Sequence, residues 1–150
     1  MSFTVKDLAG RALYTSPEAR SLRDALEEAV AQGLKLAQAD LKGLNLHGAF
    51  LMGAVLPGAD LSGSDLRNAN LNRADLTGTN LTGADLVGVN FRAADLILAD
   101  LSKTDLATAN FCEANLQDAI FTAADLHFTD FSGARNFDPH WLEVRASAHS

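Results

Sequence analysis

Every fifth residue from Leu41 to Phe131 is Leu or Phe. Of these nineteen positions fifteen are Leu and four are Phe (Phe91, Phe111, Phe121, Phe131), so the register never slips. Two residues before each centre stands a small side chain: thirteen Ala, three Thr, and one each of Ser, Val and Leu. Between the two lies Asp ten times and Asn six times, with Phe50, Val55 and Ile120 the exceptions. Two residues past the centre, nine of nineteen are Gly. A helix repeats its apolar face at 3.6 residues and a strand at two, so a beat of five suits neither alone. Asp, Asn and Gly at this density also disfavour a helix. The pattern closes if each repeat is a short extended piece followed by a corner. The small residue and the Leu, two apart, then point the same way, and Gly supplies the positive φ of the turn.

The blocks Ala59-Asp60-Leu61-Ser62-Gly63, Ala74-Asp75-Leu76-Thr77-Gly78 and Ala84-Asp85-Leu86-Val87-Gly88 resemble the repeat of the pentapeptide repeat proteins. The resemblance extends over about residues 37–135. It implies an all-β solenoid: a right-handed, quadrilateral parallel β-helix of nearly five coils, four repeats to a coil. Residues twenty apart would then stack at ~4.8 Å, giving a rod ~23 Å long. One inner column would carry Phe91, Phe111 and Phe131 in a stack.

Outside the repeats, residues 3–14 read as a β-hairpin turning near Gly10. Ser16-Pro17-Glu18 reads as a helix start with Ser16 as N-cap. Leu22, Ala25, Leu26, Ala29 and Val30 make one apolar helical face, and Gly33 suits the stop. The organisation expected is therefore a hairpin and helix cap over 1–36, the repeats over 37–135, and a C-terminal cap or tail over 136–150. The N-terminal helix is expected to shield Phe50, Met52 and Val55. A short helix over 139–146 would lay Trp141 and Leu142 on the last coil. Gly fills eight of the first ten second-corner positions, through Gly88, but none between Ala93 and Phe128. A change of corner geometry near residue 90 is expected, because Leu98 or Phe128 would resist positive φ.

Charge narrows the function. The chain carries 19 acidic and 12 basic residues, net -7, which argues against direct nucleic-acid binding. The repeats alone hold twelve acids and six bases. The column Asn45, Asp65, Asp85, Asp105, Asp125 would gather carboxylates on one face, while Asn70, Asn90 and Asn110 keep the next face nearly neutral. Exposed apolar residues collect in the second half: Ile97, Leu98, Ile120 and Phe128. Both sets are candidate interaction surfaces, the first for a basic partner and the second for a contact patch or dimer.

Catalytic and cofactor chemistry find no constellation. Cys112 is alone, which excludes an internal disulfide, and it lacks a base, so it reads as a plain surface thiol. His47 and His127 would share a column but sit ~19 Å apart, too far for one metal. His140 and His149 lie in the tail. The glycines are spread over separate corners and form no phosphate loop. No apolar run reaches the ~20 residues of a membrane helix, and MSFTVKDLAG lacks the basic start and apolar run of a secretory signal. A cytoplasmic, non-enzymatic interaction module without cofactors is expected, monomer or homodimer, binding a protein partner of unknown identity. The resemblance implies an alternative. Some pentapeptide repeat proteins are similar to duplex DNA in shape and charge and bind DNA gyrase or a related topoisomerase. The partner would then be a DNA-binding protein recognised by mimicry.

Overall fold

Repeats stack on one another with a period of twenty residues. In the computed structural model, which describes residues 1–141, pairs twenty apart meet in isolated parallel bridges. Asp40 pairs with Asp60, Asn45 with Asp65, Phe50 with Asn70 and Val55 with Asp75, and the same four registers recur as far as Asn115 with Arg135. Each turn of twenty residues is a tier. Tiers are joined by backbone bonds along the stack: Asp60 N–H to the Ala39 carbonyl at 2.9 Å, Leu61 N–H to Asn80 at 2.7 Å, Gly63 N–H to Thr82 at 3.0 Å. Within a tier each corner closes on a bond of the kind Ala59 N–H to the Leu56 carbonyl, 3.1 Å.

The expected all-β solenoid is corrected by this structure. Among the described residues the only strands are β1 (Phe3–Lys6) and β2 (Ala12–Ser16), and the only named helix is α1 (Leu22–Ala31). The strands form one two-stranded antiparallel sheet, neither closed nor curled round a tube. The repeats contain no strand. Two residues in five are spent on the corner, and each repeat bridges its neighbour tier at a single residue, so no ladder of consecutive pairs develops. The right-handed β-helix is thus replaced by stacked turns with isolated bridges.

The inside of the stack is as apolar as the five-residue beat requires. The central Leu residues from Leu36 to Leu126 are buried, and so are the Ala positions two residues before them. Hydroxyls admitted to this interior bond at once to carbonyls: Ser64 Oγ to Leu61 at 2.6 Å, Thr104 Oγ1 to Leu101 at 2.6 Å, Thr79 Oγ1 to Leu56 at 3.2 Å. Phe91, Phe111 and Phe131 stack with ring centroids 5.0 and 5.2 Å apart.

Corner geometry does not change near residue 90, contrary to the expectation from glycine placement. Leu98 (φ 61°), Thr108 (61°) and Phe128 (56°) adopt the same left-handed conformation as Gly83 (70°) and Gly88 (68°). Each costs about 1–2 kcal/mol relative to Gly. Bonds along the stack hold Leu98 and Thr108 there: Leu98 N–H reaches the Gln117 carbonyl at 2.9 Å and Thr108 N–H that of His127 at 3.0 Å.

The hairpin seals the first tier. Asp7 bridges Ala39, Leu8 N–H donates to Gln38 (2.9 Å) and Asp40 N–H to Lys6 (2.8 Å), so backbone that would be an open edge is paired. Helix α1 packs on both strands, burying Ala25, Leu26, Ala29 and Val30. Its N-cap is Ser21, whose hydroxyl accepts the Asp24 amide at 3.0 Å, rather than the expected Ser16. Ser16 ends β2, and its Oγ is taken by the Ala19 amide in the intervening bend. At the other end Gly33 (φ 71°) and Leu34 donate back to Val30 and Ala29, a Schellman closure. The helix expected over 139–146 lies mostly outside the described residues. Trp141, at their limit, packs on Phe121 (4.6 Å) and Phe137 (5.5 Å).

Candidate interaction surface

The Asp or Asn before each centre has a backbone task. Its Oδ1 accepts the amide two residues on, at the corner: Asp75 from Thr77 (3.1 Å), Asn80 from Thr82 (3.0 Å), Asn90 from Arg92 (2.9 Å), Asp130 from Ser132 (2.9 Å). Carboxylate and amide oxygens serve this bond alike. The fold therefore demands an oxygen at this slot and is indifferent to charge.

Against that background the column Asp65, Asp85, Asp105, Asp125 is a choice of charge. Bridges connect consecutive members, so the four stand on adjoining tiers with Asn45 at the foot. All four accept their corner amides, from Arg67, Val87, Ala107 and His127, at 3.0–3.3 Å. Each end of the column has a side-chain partner. Arg67 grips Asp65 through two nitrogens (2.9 and 2.7 Å) and reaches Asp85 at 3.7 Å. Its side-chain hydrogen bond holds the Asp65 carboxyl down to about 2, against a smaller opposing effect of burial. His127 Nδ1 lies 2.7 Å from Asp125. Asp85 and Asp105 form the middle of the column, and Asp105 is exposed.

The four apolar candidates do not form one patch. Leu98 occupies the corner column of Gly58, Gly78 and Asp118, and Ile97 precedes it. Ile120 stands on the adjoining tier, in the slot above Asp100. Phe128 belongs to the column of Asn68, Gly88 and Thr108, ten residues and two corners away from that of Leu98, half a tier round. Phe128 is 87% exposed and stands apart, while Ile97 is only half-buried.

Cys112 is half-buried. Loss of solvent first, and the neighbouring Asp130 second, push its thiol up, away from the reactive thiolate. His47 and His127 are four tiers apart. Among the described residues no group of three or more His, Cys, Asp or Glu could hold a metal ion, and no helix is long and apolar enough to cross a membrane.

A groove lies beside α1. Helix α1 does not shield Phe50 and Met52, which remain 71% and 58% exposed. They and the outer side of α1 line an open groove of about 630 Å³. Phe50 occupies a slot that holds Asp or Asn in sixteen of nineteen repeats, and that irregularity is the signal the sequence carried.

Comparison with known proteins bears on this surface. The family model described as pentapeptide repeats matches in 8 copies, over residues 25–58, 35–73, 54–92, 74–111 and 99–135. Among solved structures, the chain is similar to the pentapeptide repeat protein Rfr23 from the cyanobacterium Cyanothece 51142, at 31% identity over 67% of this chain and 59% of that one, TM-score 0.46. It therefore spans about three-fifths of the length of Rfr23. It is also similar to alr5209, a pentapeptide repeat protein from Nostoc Pcc 7120, at 33% identity over 75% of this chain and 85% of that one, TM-score 0.40. Trypsin-treated QnrB1, a plasmid-mediated fluoroquinolone resistance protein, shares the fold at TM-score 0.61, with 20% identity over 78% of this chain and 57% of the other. A search of the curated proteins found no match.

Proposed function

Because this chain belongs to the pentapeptide repeat family, we propose that it is a protein-binding module whose acidic column receives a basic surface of its partner. In this reading the chain is a binding module and not an enzyme. One observation carries the reading. Asp65, Asp85, Asp105 and Asp125 fill slots where Asn would cap the corner equally well, so the fold does not account for four aligned carboxylates. The cap over residues 1–36 and the repeats over 37–135 are taken as the parts of this module.

A narrower partner class has specific support. The fold is shared with QnrB1, a fluoroquinolone resistance protein, and some members of the family are similar to duplex DNA and bind gyrase. We therefore take a type II topoisomerase as the partner class to test first, with the acidic face standing in for DNA. Charge density sets an expectation for that mimicry. A duplex carries one charge per ~1.7 Å of axis, whereas one column here offers one per ~4.8 Å, about a third as many. Competition with DNA should accordingly fall off with salt less steeply than DNA binding itself.

Two measurements decide. In a gyrase supercoiling assay, with and without a fluoroquinolone, micromolar protein should shift inhibition or drug protection; no effect removes the topoisomerase. For the broader reading, capture of a basic partner should be salt-sensitive and lost in Asp85→Asn/Asp105→Asn. Unchanged capture in that variant refutes the acidic docking face.

A further inference from the structure

We propose that the groove between α1 and the Phe50 side of the stack is a second binding site, for a partner segment in which apolar and basic side chains are mixed. The proposal stands apart from the acidic column.

The floor of the groove is apolar and has no structural reason to be. At the slot of Phe50 the fold calls for an oxygen that accepts the amide two residues on. Phe50 brings none to Met52, and its ring gains no burial in exchange, since it is 71% exposed. Its bridge partner on the next tier, Asn70, is an ordinary member of the slot and caps Asn72 at 3.0 Å. Phe50 and Met52 thus put two large apolar side chains side by side on a polar face.

The rim has the opposite character. Glu18, Asp24, Glu27 and Glu28 line it against one guanidinium, that of Arg20. Arg23 pairs with Glu27 at 2.7 Å, and the groove remains acidic by two charges after that pair is counted. Arg23 also donates to the His47 carbonyl at 2.6 Å, which ties α1 to the first tier beside the groove. Glu28 is positioned by the Tyr14 hydroxyl at 2.9 Å. An apolar floor beneath an acidic rim complements side chains such as Leu or Phe flanked by Arg or Lys. The groove's volume of about 630 Å³ admits a few such side chains rather than a whole domain.

The test uses the full chain and a short fluorescein-labelled peptide of alternating arginine and leucine, followed by fluorescence anisotropy. Two control peptides replace leucine by serine or arginine by glutamate. Binding of the arginine–leucine peptide should weaken at least tenfold in Phe50→Asn, a variant that restores the regular slot and should melt no lower than the wild type. It should also weaken severalfold in Glu18→Gln/Glu27→Gln, and stay unchanged in Asp85→Asn/Asp105→Asn. Equal affinity for Phe50→Asn, or for either control peptide, overturns the proposal. Self-association of the protein abolished by Phe50→Asn would assign the groove to a second copy, and overturns it as well.

Discussion

At the scale of single residues, the slot before each central Leu separates structure from charge. An Asp or Asn there caps the corner amide, so Asp85→Asn should change stability by less than ~0.5 kcal/mol. Asp85→Ala, which removes the acceptor, should cost about 1 kcal/mol in urea unfolding. Corner residues supply a second prediction. Leu98 is exposed at φ 61°, so Leu98→Gly should raise stability by about 1 kcal/mol. Gly83→Leu should lower it by a similar amount. A third concerns pH. Asp65 has a carboxyl pKa of about 2 against an ordinary 3.8. The stability it confers is therefore complete above pH 3.8 and disappears as the pH falls toward 2. Arg67→Ala should flatten the acid limb of a melting-temperature profile in that window. The positions of Leu, Ala and Asp were legible because they recur without slip. The capping bond was not, since a solvated polar face has the same composition. Nor was the uniform corner: Leu98 resists positive φ locally, and the bond from its amide to the Gln117 carbonyl on the tier above outweighs that resistance.

The elements tell a similar story of local preference set against neighbours. The hairpin and helix were visible in the alternation of residues 3–14 and the apolar face of 22–30. The helix start was misplaced by five residues because Ser16 followed by Pro17 has the chemistry of an N-cap. Pairing of Ser16 with Phe3 at the end of the sheet prevailed, leaving Ser21 to do the capping. Ser21→Ala should accordingly cost about 1 kcal/mol and accelerate hydrogen exchange at the Asp24 amide. The absence of strands in the repeats also follows from element length. A five-residue unit that turns within two of its residues leaves too little extended chain for a ladder. The five-residue beat specifies the inward positions, but the chain makes single bridges where that beat predicts strands.

On the scale of the whole molecule, the vertical alignment of residues twenty apart organises everything else: the Phe stack, the acidic column, the groove beneath α1. Such neighbour-to-neighbour assemblies tolerate loss of whole units. Deleting residues 61–80 joins Asp60 to Leu81 and preserves every remaining column. That shortened chain should still unfold cooperatively, with a lower melting temperature and a smaller urea m value. Acid placement was legible at this scale as soon as the period was known. The separation of Phe128 from Ile97, Leu98 and Ile120 follows from the same count of corners. The groove was not legible, because it depends on how far α1 stands from the first tier, a distance no repeat encodes.

The bonds between tiers lie parallel to the long direction of the stack, and each tier holds only the one above and the one below. Tension applied at the two ends would therefore load these bonds one storey at a time and not as a sheared ladder. Each storey that lets go frees twenty residues, roughly 70 Å of slack. Stretched in optical tweezers, this protein should lengthen in a staircase of small, nearly equal steps at modest force, and re-coil from whichever end is still wound.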